Sequence, residues 1–145
     1  MIFTIVPKEH VRHVWHDVAD VIEKSVETSN GKFEVLDLLK GILDDEYVLW
    51  VVMDDEDNDK IVAAVTTRIV QYPRRLGMAM DWVGGTRLRE WSDLVMTTIM
   101  EYARVNNCSH VEGYGRKAWG RYLAKYRFEP EYIAYRMELA DGQGQ

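Results

Sequence analysis

Two adjacent glycines precede the clearest helical pattern in this 145-residue chain. Gly84 and Gly85 end a stretch that alternates bulky and small residues, which is typical of a strand. A strand leading into a helix suits phosphate binding, because the first helical N–H groups are unpaired and the helix dipole is positive there. Glycines let the backbone approach a phosphate because they have no side chain. The spacing therefore predicts a phosphate cradle within residues 81–128.

Three histidines lie on the first predicted helix and suggest a metal site. His10 and His13 are three residues apart, and His13 and Asp17 are four apart, so each pair can share a helix face. His16 points in another direction, and no second helix supplies an obvious ligand. We predict solvated histidines and no metal site.

The acidic run at residues 54–59 invites comparison with a calcium-binding loop. It lacks the central glycine and the terminal bidentate glutamate that an EF-hand requires. The prediction is a solvated turn between two strands, whose charges protect the sheet edge.

The composition excludes several classes of function. The formal charge of −6 argues against general nucleic-acid binding, which needs basic surfaces. The single cysteine, Cys108, excludes an internal disulfide and fits a reducing compartment. No apolar run approaches the ~18 residues of a membrane span, and the first residues lack the order of a signal peptide. We expect a soluble cytoplasmic protein that binds neither nucleic acid nor membrane.

Hydrophobic periodicity predicts ten elements in a single domain that spans residues 1–140. Strands are expected at 2–6, 47–53, 61–70, 76–83, 109–114 and 132–139, and helices at 8–27, 35–43, 91–105 and 116–126. The order β-α-α-β-β-β-α-β-α-β implies an α+β fold with a mixed, mostly antiparallel sheet and helices on both faces. Residues 141–145 have nothing apolar to bury and are predicted to be a disordered tail.

This element order resembles that of the GNAT acyltransferase family over essentially the whole chain. The sequence MEYARVNNCSHVEGYGR is similar to the end of that family's third helix and its fifth strand, and KAWGRYLAKYRF is similar to its fourth helix. Glu90 and Trp91 at a helix start, with GRKAW at residues 115–119, resemble the GNAT-like proteins of tailed bacteriophages and prophages. The resemblance implies a GNAT fold and, for an active member, acetyl-CoA as the cofactor.

GNAT enzymes bind the acetyl-CoA pyrophosphate with a Gln/Arg-x-x-Gly-x-Gly/Ala loop at the start of the third helix. Residues 87–92 (RLREWS) align with this motif, and Arg87 fits its first position. Glu90 and Ser92 replace the two glycines, and Glu90 adds a negative charge where two phosphates would sit. If acetyl-CoA binds, the resemblance implies contacts with Gly84, Gly85, Arg87, Arg89 and Ser92.

Many GNAT enzymes protonate the departing thiolate with a tyrosine on the fourth helix. Leu123 lies at that position here, and Tyr122 is one residue early, a rotation of ~100° on a helix. Tyr126 is the second candidate acid, and core packing is the alternative for both tyrosines. Asp81, just before the glycines, is the candidate base for an amine substrate, with a structural carboxylate at a strand end as the alternative.

The replaced glycines and Leu123 favour a protein without catalytic activity. We expect a GNAT-like phage or prophage protein that acts as a structural or interaction module, in the host cytoplasm or in the virion, with other proteins as partners. An active acetyl-CoA-dependent N-acetyltransferase is the alternative, and exposed sheet edges leave a homodimer open. Trp91 and Trp119 are expected to fill the cleft where the coenzyme would lie.

Overall fold

A computed structural model describes residues 1–115 and 119–139 of the chain. Two compact units divide it, Met1–Tyr114 and Gly115–Gln145, and the prediction of one domain over 1–140 stays a prediction. The first unit contains five strands: β1 (Ile2–Ile5), β2 (Val48–Asp54), β3 (Lys60–Gln71), β4 (Leu76–Gly85) and β5 (His110–Gly113). It also contains the helices α1 (Val11–Glu27), α2 (Val35–Leu43) and α3 (Leu88–Val105), and the second unit contains α4 (Gly120–Ala124).

The five strands form one mixed sheet in the order β1-β2-β3-β4-β5. Pairing is antiparallel from β1 through β4, and β5 runs parallel to β4. Short turns suffice to join antiparallel neighbours, whereas the parallel pair needs the α3 crossover. The predicted α+β fold with a mixed, mostly antiparallel sheet is confirmed.

Both faces of the sheet are covered by helices. Four α1 residues at helical spacing are buried together with two from α2 against one sheet face (Val11, Val18, Ile22, Val26, Leu38, Ile42). Leu49 and Val51 point to that face, while Trp50, between them, meets Tyr102 of α3 edge-to-face with ring centroids 5.0 Å apart. Both faces of β2 are buried, and its sequence is therefore a continuous apolar run.

In the second unit, two elements of the structure differ from the prediction. The strand expected at residues 132–139 is wrong, because the structure has no regular element there. Strand geometry is stabilised by hydrogen bonds to a neighbouring strand, and the large apolar side chains of this segment are 64–90% exposed. Of the helix expected at 116–126, the described residues contain α4 at Gly120–Ala124, which ends two residues before the predicted end. Residues 116–118 and the predicted tail at 141–145 lie outside the described residues.

Within the described part of the chain, no helix combines the length and the apolar character needed to cross a membrane.

Candidate functional site

The two glycines before α3 are required by packing. A Cβ on Gly84 would lie 2.5 Å from the Val21 carbonyl oxygen of α1. Gly85 has a φ of +147°, and a Cβ there would lie 2.4 Å from the Val62 carbonyl oxygen of β3. Both positions exclude a side chain because neighbouring backbone passes too close. Close packing is therefore an alternative explanation for glycine at positions 84 and 85, beside the predicted role in phosphate binding.

In the turn that follows the glycines, the backbone N–H and carbonyl groups of Thr86 are both hydrogen-bonded. The Thr86 N–H donates to the Val62 carbonyl oxygen at 2.9 Å, which extends the pairing with β3 by one bond. The Thr86 carbonyl oxygen accepts a hydrogen bond from the Trp91 indole N–H at 2.6 Å. This bond fixes the turn to the first residues of α3.

Arg87 occupies the N-cap of α3 in a left-handed conformation, with φ of 63° and ψ of 38°. Its Nη1 lies 2.7 Å from Oδ2 of Asp54, which ends β2. Its Nε and Nη2 donate to the two carboxylate oxygens of Glu90 at 2.6 and 2.9 Å. The guanidinium is therefore clamped between two carboxylates, and we call these three residues the Arg87 cluster.

The three charges of the Arg87 cluster hold one another ionised. Hydrogen bonds to Glu90 and then to Asp54 raise the pKa of Arg87. The hydrogen bond from Arg87 lowers the pKa of Glu90, and the same interaction, with a bond from the Glu56 N–H, lowers the pKa of Asp54. The cluster itself carries two negative charges and one positive charge, and Glu90 lies in the first turn of α3, where the helix dipole favours a carboxylate.

The remaining residues of the predicted coenzyme loop point in different directions. Ser92 is buried, with 4% of its surface exposed, whereas Arg89 is exposed. Trp91 is also buried and is held by its bond to Thr86, and its expected role in filling the coenzyme cleft stays a prediction. Trp119 is 40% exposed and belongs to the second unit, so its predicted role beside Trp91 stays a prediction.

Asp81, the candidate base, is engaged by a guanidinium. Nε and Nη2 of Arg68 on β3 donate to its two oxygens at 2.8 and 3.1 Å. This bond raises the pKa of Arg68, and the Asp81 side chain is 11% exposed. A base must offer a lone pair to the substrate proton, and each Asp81 oxygen already accepts a hydrogen bond from the Arg68 guanidinium in a bidentate pair. The geometry favours the structural alternative for Asp81.

The two candidate acids lie in the second unit. The Tyr122 hydroxyl is buried and has no hydrogen-bond partner among the described residues. Its ring meets Trp119 and Tyr126 at centroid distances of 6.0 and 5.8 Å. A buried hydroxyl without a partner costs free energy and often marks a place where a ligand atom is bound. Of the predicted acids, Tyr122 is the one that this observation favours.

Asp54 is the site residue that the sequence did not indicate. The acidic run places it in a solvated turn, but the structure buries it and points its carboxylate at Arg87. Residues 55–60 are exposed, as the prediction requires. The available signal was the position of Asp54 at the end of an apolar strand, which gave no hint of a partner 33 residues away.

The three histidines predicted on the first helix form no metal centre in the described part of the chain, where no group of three or more ligating side chains occurs. The rings of His10 and His13 lie 6.3 Å apart, and His16 faces Asp20 at 3.8 Å instead.

Comparison with solved structures shows that this is the fold of GNAT acetyltransferases. A GNAT family acetyltransferase from Staphylococcus aureus matches 95% of this chain and 98% of its own, with a TM-score of 0.65 and 12% sequence identity. A ribosomal-protein-alanine N-acetyltransferase from Brucella melitensis biovar Abortus matches 96% of this chain and all of its own, with a TM-score of 0.72 and 8% identity. An aminoglycoside acetyltransferase from an uncultured soil metagenomic sample, in complex with sisomicin, matches 96% of both chains, with a TM-score of 0.69 and 12% identity. No protein-family model and no curated protein sequence matches the chain.

We predict that Gly84→Ala destabilises the protein. The new methyl group would collide with the Val21 carbonyl, and such overpacking typically costs about 1–3 kcal/mol. Urea unfolding followed by circular dichroism measures the effect. Gly120→Ala on α4 is the control, because a Cβ there meets no atom within 4 Å. If Gly84 served solely to admit a phosphate, the alanine variant would retain full stability without ligand.

Acid should weaken the Arg87 cluster. Because Arg87 lowers the pKa values of Asp54 and Glu90, their stabilising effect is complete above about pH 5 and is lost as the pH falls through the lowered values. We expect the urea midpoint to fall between about pH 5 and 2, and less steeply in Asp54→Asn/Glu90→Gln. Equal slopes in wild type and variant would show that the cluster contributes nothing.

Proposed function

We propose that this GNAT-fold protein does not catalyse acetyl transfer from acetyl-CoA and acts as a structural or interaction module. The Arg87 cluster is the observation that carries the proposal. Arg87 is the residue expected to bind the coenzyme pyrophosphate, and Asp54 and Glu90 already occupy its three hydrogen-bonding nitrogens.

Pyrophosphate would have to compete with these two carboxylates. Binding would require breaking at least one ion pair or placing phosphate oxygens beside Asp54 and Glu90. Two like charges about 4 Å apart repel by about 4 kcal/mol at the effective dielectric of a protein surface. That repulsion would cancel much of what the helix dipole and the free N–H groups supply.

The proposed loss of catalysis is also supported at the acceptor side. Asp81 is bound through both oxygens by Arg68, so it is a poor candidate to accept a proton from an amine. The ion pairs at Arg87 and at Asp81, the two positions with a proposed functional role, both support the proposal.

Other proteins are the proposed partners of the module. The resemblance of Glu90-Trp91 and GRKAW to phage GNAT-like proteins supports a phage or prophage origin, with the host cytoplasm or the virion as its location. An acidic chain with the charge of −6 is suited to protein contacts and poorly suited to binding nucleic acid. β1 and β5 end the sheet in the described residues and are the strands at which a homodimer or a partner would add.

An active acetyl-CoA-dependent N-acetyltransferase is the second candidate. The buried Tyr122 hydroxyl favours it, because an orphaned hydroxyl on α4 is what a general acid for the coenzyme thiolate would require. Under this alternative the Arg87 cluster would open when coenzyme binds.

Calorimetric titration with acetyl-CoA and with CoA tests the proposal. We expect no binding heat at millimolar coenzyme, because Asp54 and Glu90 already bind the Arg87 guanidinium and would repel the pyrophosphate. Binding tighter than ~100 µM, a free energy of about −5.5 kcal/mol, would contradict the non-catalytic proposal and support an active N-acetyltransferase. Tyr122→Phe would then separate catalysis from coenzyme binding, since a general acid is needed for turnover and not for binding.

Neutralising the carboxylates should restore anion affinity. In Asp54→Asn/Glu90→Gln the Arg87 guanidinium loses both charged partners, and we expect CoA to bind at least about tenfold more tightly, a gain of about 1.4 kcal/mol. The control is Glu101→Gln, which removes a carboxylate paired with Arg104 further along α3. Equal CoA affinity in the double variant and the control would show that Arg87 does not face the phosphate position.

A further inference from the structure

A second polar cluster lies at the opposite end of β4 from the Arg87 cluster. It consists of Tyr72, Ser109, His110 and Glu112, and we call it the Ser109 cluster. Its position is fixed by the parallel register, in which Gly77 is opposite His110. Gly85 lies eight residues further along β4, about 26 Å away at the rise of a strand. The two clusters are therefore separate.

Hydrogen bonds connect the four side chains in series. Ser109 Oγ lies 3.0 Å from His110 Nδ1. His110 Nε2 lies 2.8 Å from a carboxylate oxygen of Glu112. The Tyr72 hydroxyl donates to both Glu112 oxygens, at 2.8 and 2.7 Å.

The chemistry of the acceptors fixes the direction of these bonds. The Glu112 carboxylate accepts hydrogen bonds, so its contact with His110 places a proton on Nε2. In the neutral ring Nδ1 then carries a lone pair, which accepts the proton of the Ser109 hydroxyl. Carboxylate, imidazole and hydroxyl in this order are the parts of a nucleophilic serine site: a nucleophile, a base at 2.6–3.2 Å, and a third group that orients the base.

The sheet is shaped to admit this pair. His110 and Glu112 are two residues apart on β5 and point to the same face. A Cβ on Gly77 would lie 2.6 Å from His110 Nε2 and 2.7 Å from Glu112 Oε1. Only glycine at this position leaves space for the imidazole–carboxylate contact.

Exposure falls from the hydroxyl inwards. Ser109 is exposed, the His110 side chain is 29% exposed, and the Glu112 side chain is 14% exposed. A reagent can therefore reach the hydroxyl while the carboxylate stays shielded. The Leu76 carbonyl oxygen, at 3.3 Å, is the second acceptor for the Ser109 hydroxyl, and Nδ1 is the nearer one.

We propose that Ser109 is a nucleophile that takes an acyl group from activated carboxylic esters. Ser109 Oγ forms a bond to the ester carbonyl carbon, and its proton passes to His110 Nδ1. The bond from that carbon to the leaving oxygen breaks, and His110 returns the proton to the departing alkoxide or phenolate. The products are acyl-Ser109 and an alcohol. Glu112 and Tyr72 are positioning residues that set the tautomer and orientation of His110.

This site is independent of the proposed function. It uses neither acetyl-CoA nor any residue of the Arg87 cluster, so either inference can fail without the other.

The test is acylation by p-nitrophenyl acetate, followed by peptide mapping. We expect the acetyl group on Ser109 to form at least about tenfold faster than on Ser29, whose hydroxyl contacts the Phe33 backbone instead of an imidazole. Ser109→Ala should abolish the fast release of p-nitrophenolate. Glu112→Gln and Tyr72→Phe should slow it by about tenfold or more, because general-base assistance contributes on the order of 10²–10⁴.

The pH profile of the wild-type reaction is the second readout. The Ser109 acylation rate should rise with pH as the His110 ring loses its proton, because only the neutral ring accepts the serine proton. The titratable groups in contact with His110 are Glu112 on β5 and Tyr72 in the β3–β4 turn. The Tyr72 and His110 ring centroids lie 6.0 Å apart. The β4 residue that faces His110 is Gly77, which has no side chain. A merely structural His110 would give no such rise.

Two results would overturn the proposal. One is Ser109 acylation no faster than that of Ser29. The other is a rate unchanged in a folded Glu112→Gln protein, with folding checked by circular dichroism. If neither positioning variant folds, a flat wild-type pH profile between pH 5 and 8 would overturn it as well.

Discussion

The salt bridges of Arg87 join three parts of the fold at one point. Asp54 belongs to the end of β2, Arg87 to the N-cap of α3, and Glu90 to the first turn of that helix. The left-handed backbone at Arg87 is unusual for a residue with a side chain, and the two ion pairs stabilise it. This contact joins the start of α3 to the end of β2. The same guanidinium is the group that the resemblance to GNAT enzymes assigns to a coenzyme pyrophosphate.

The fold was largely predictable because its signals are local. The apolar periodicities of α1 and α3 and the uniform apolarity of β2 each predicted their elements, and the hairpin order predicted the antiparallel part of the sheet. The strand at 132–139 was wrong for a physical reason: apolar character predicts burial, but a strand also needs a bonded neighbour. No local pattern reports whether that neighbour is available.

The candidate site was less predictable because its partners are distant in sequence. Glu90 lies three residues from Arg87 and its charge was visible in the sequence, whereas the salt bridge between Arg87 and Asp54 depends on the path of β2. Arg68 and Asp81 meet because the β3–β4 register, shifted by a bulge at Thr66/Thr67, places Arg68 opposite Ala79 and diagonal to Asp81. Gly84 was interpreted as a phosphate contact, and only the approach of α1 reveals its packing role.

Under the proposed function, the GNAT fold persists while the groups that would serve the coenzyme take structural roles. NMR spectroscopy of the isotopically labelled protein tests this account most directly, through the backbone amide signals of residues 84–90 during titration with CoA. The account predicts that these signals stay in place at millimolar CoA. A saturable shift of the amides at the start of α3, together with the Arg87 Nε–H signal, would contradict it, because the phosphate would then have displaced Asp54 and Glu90.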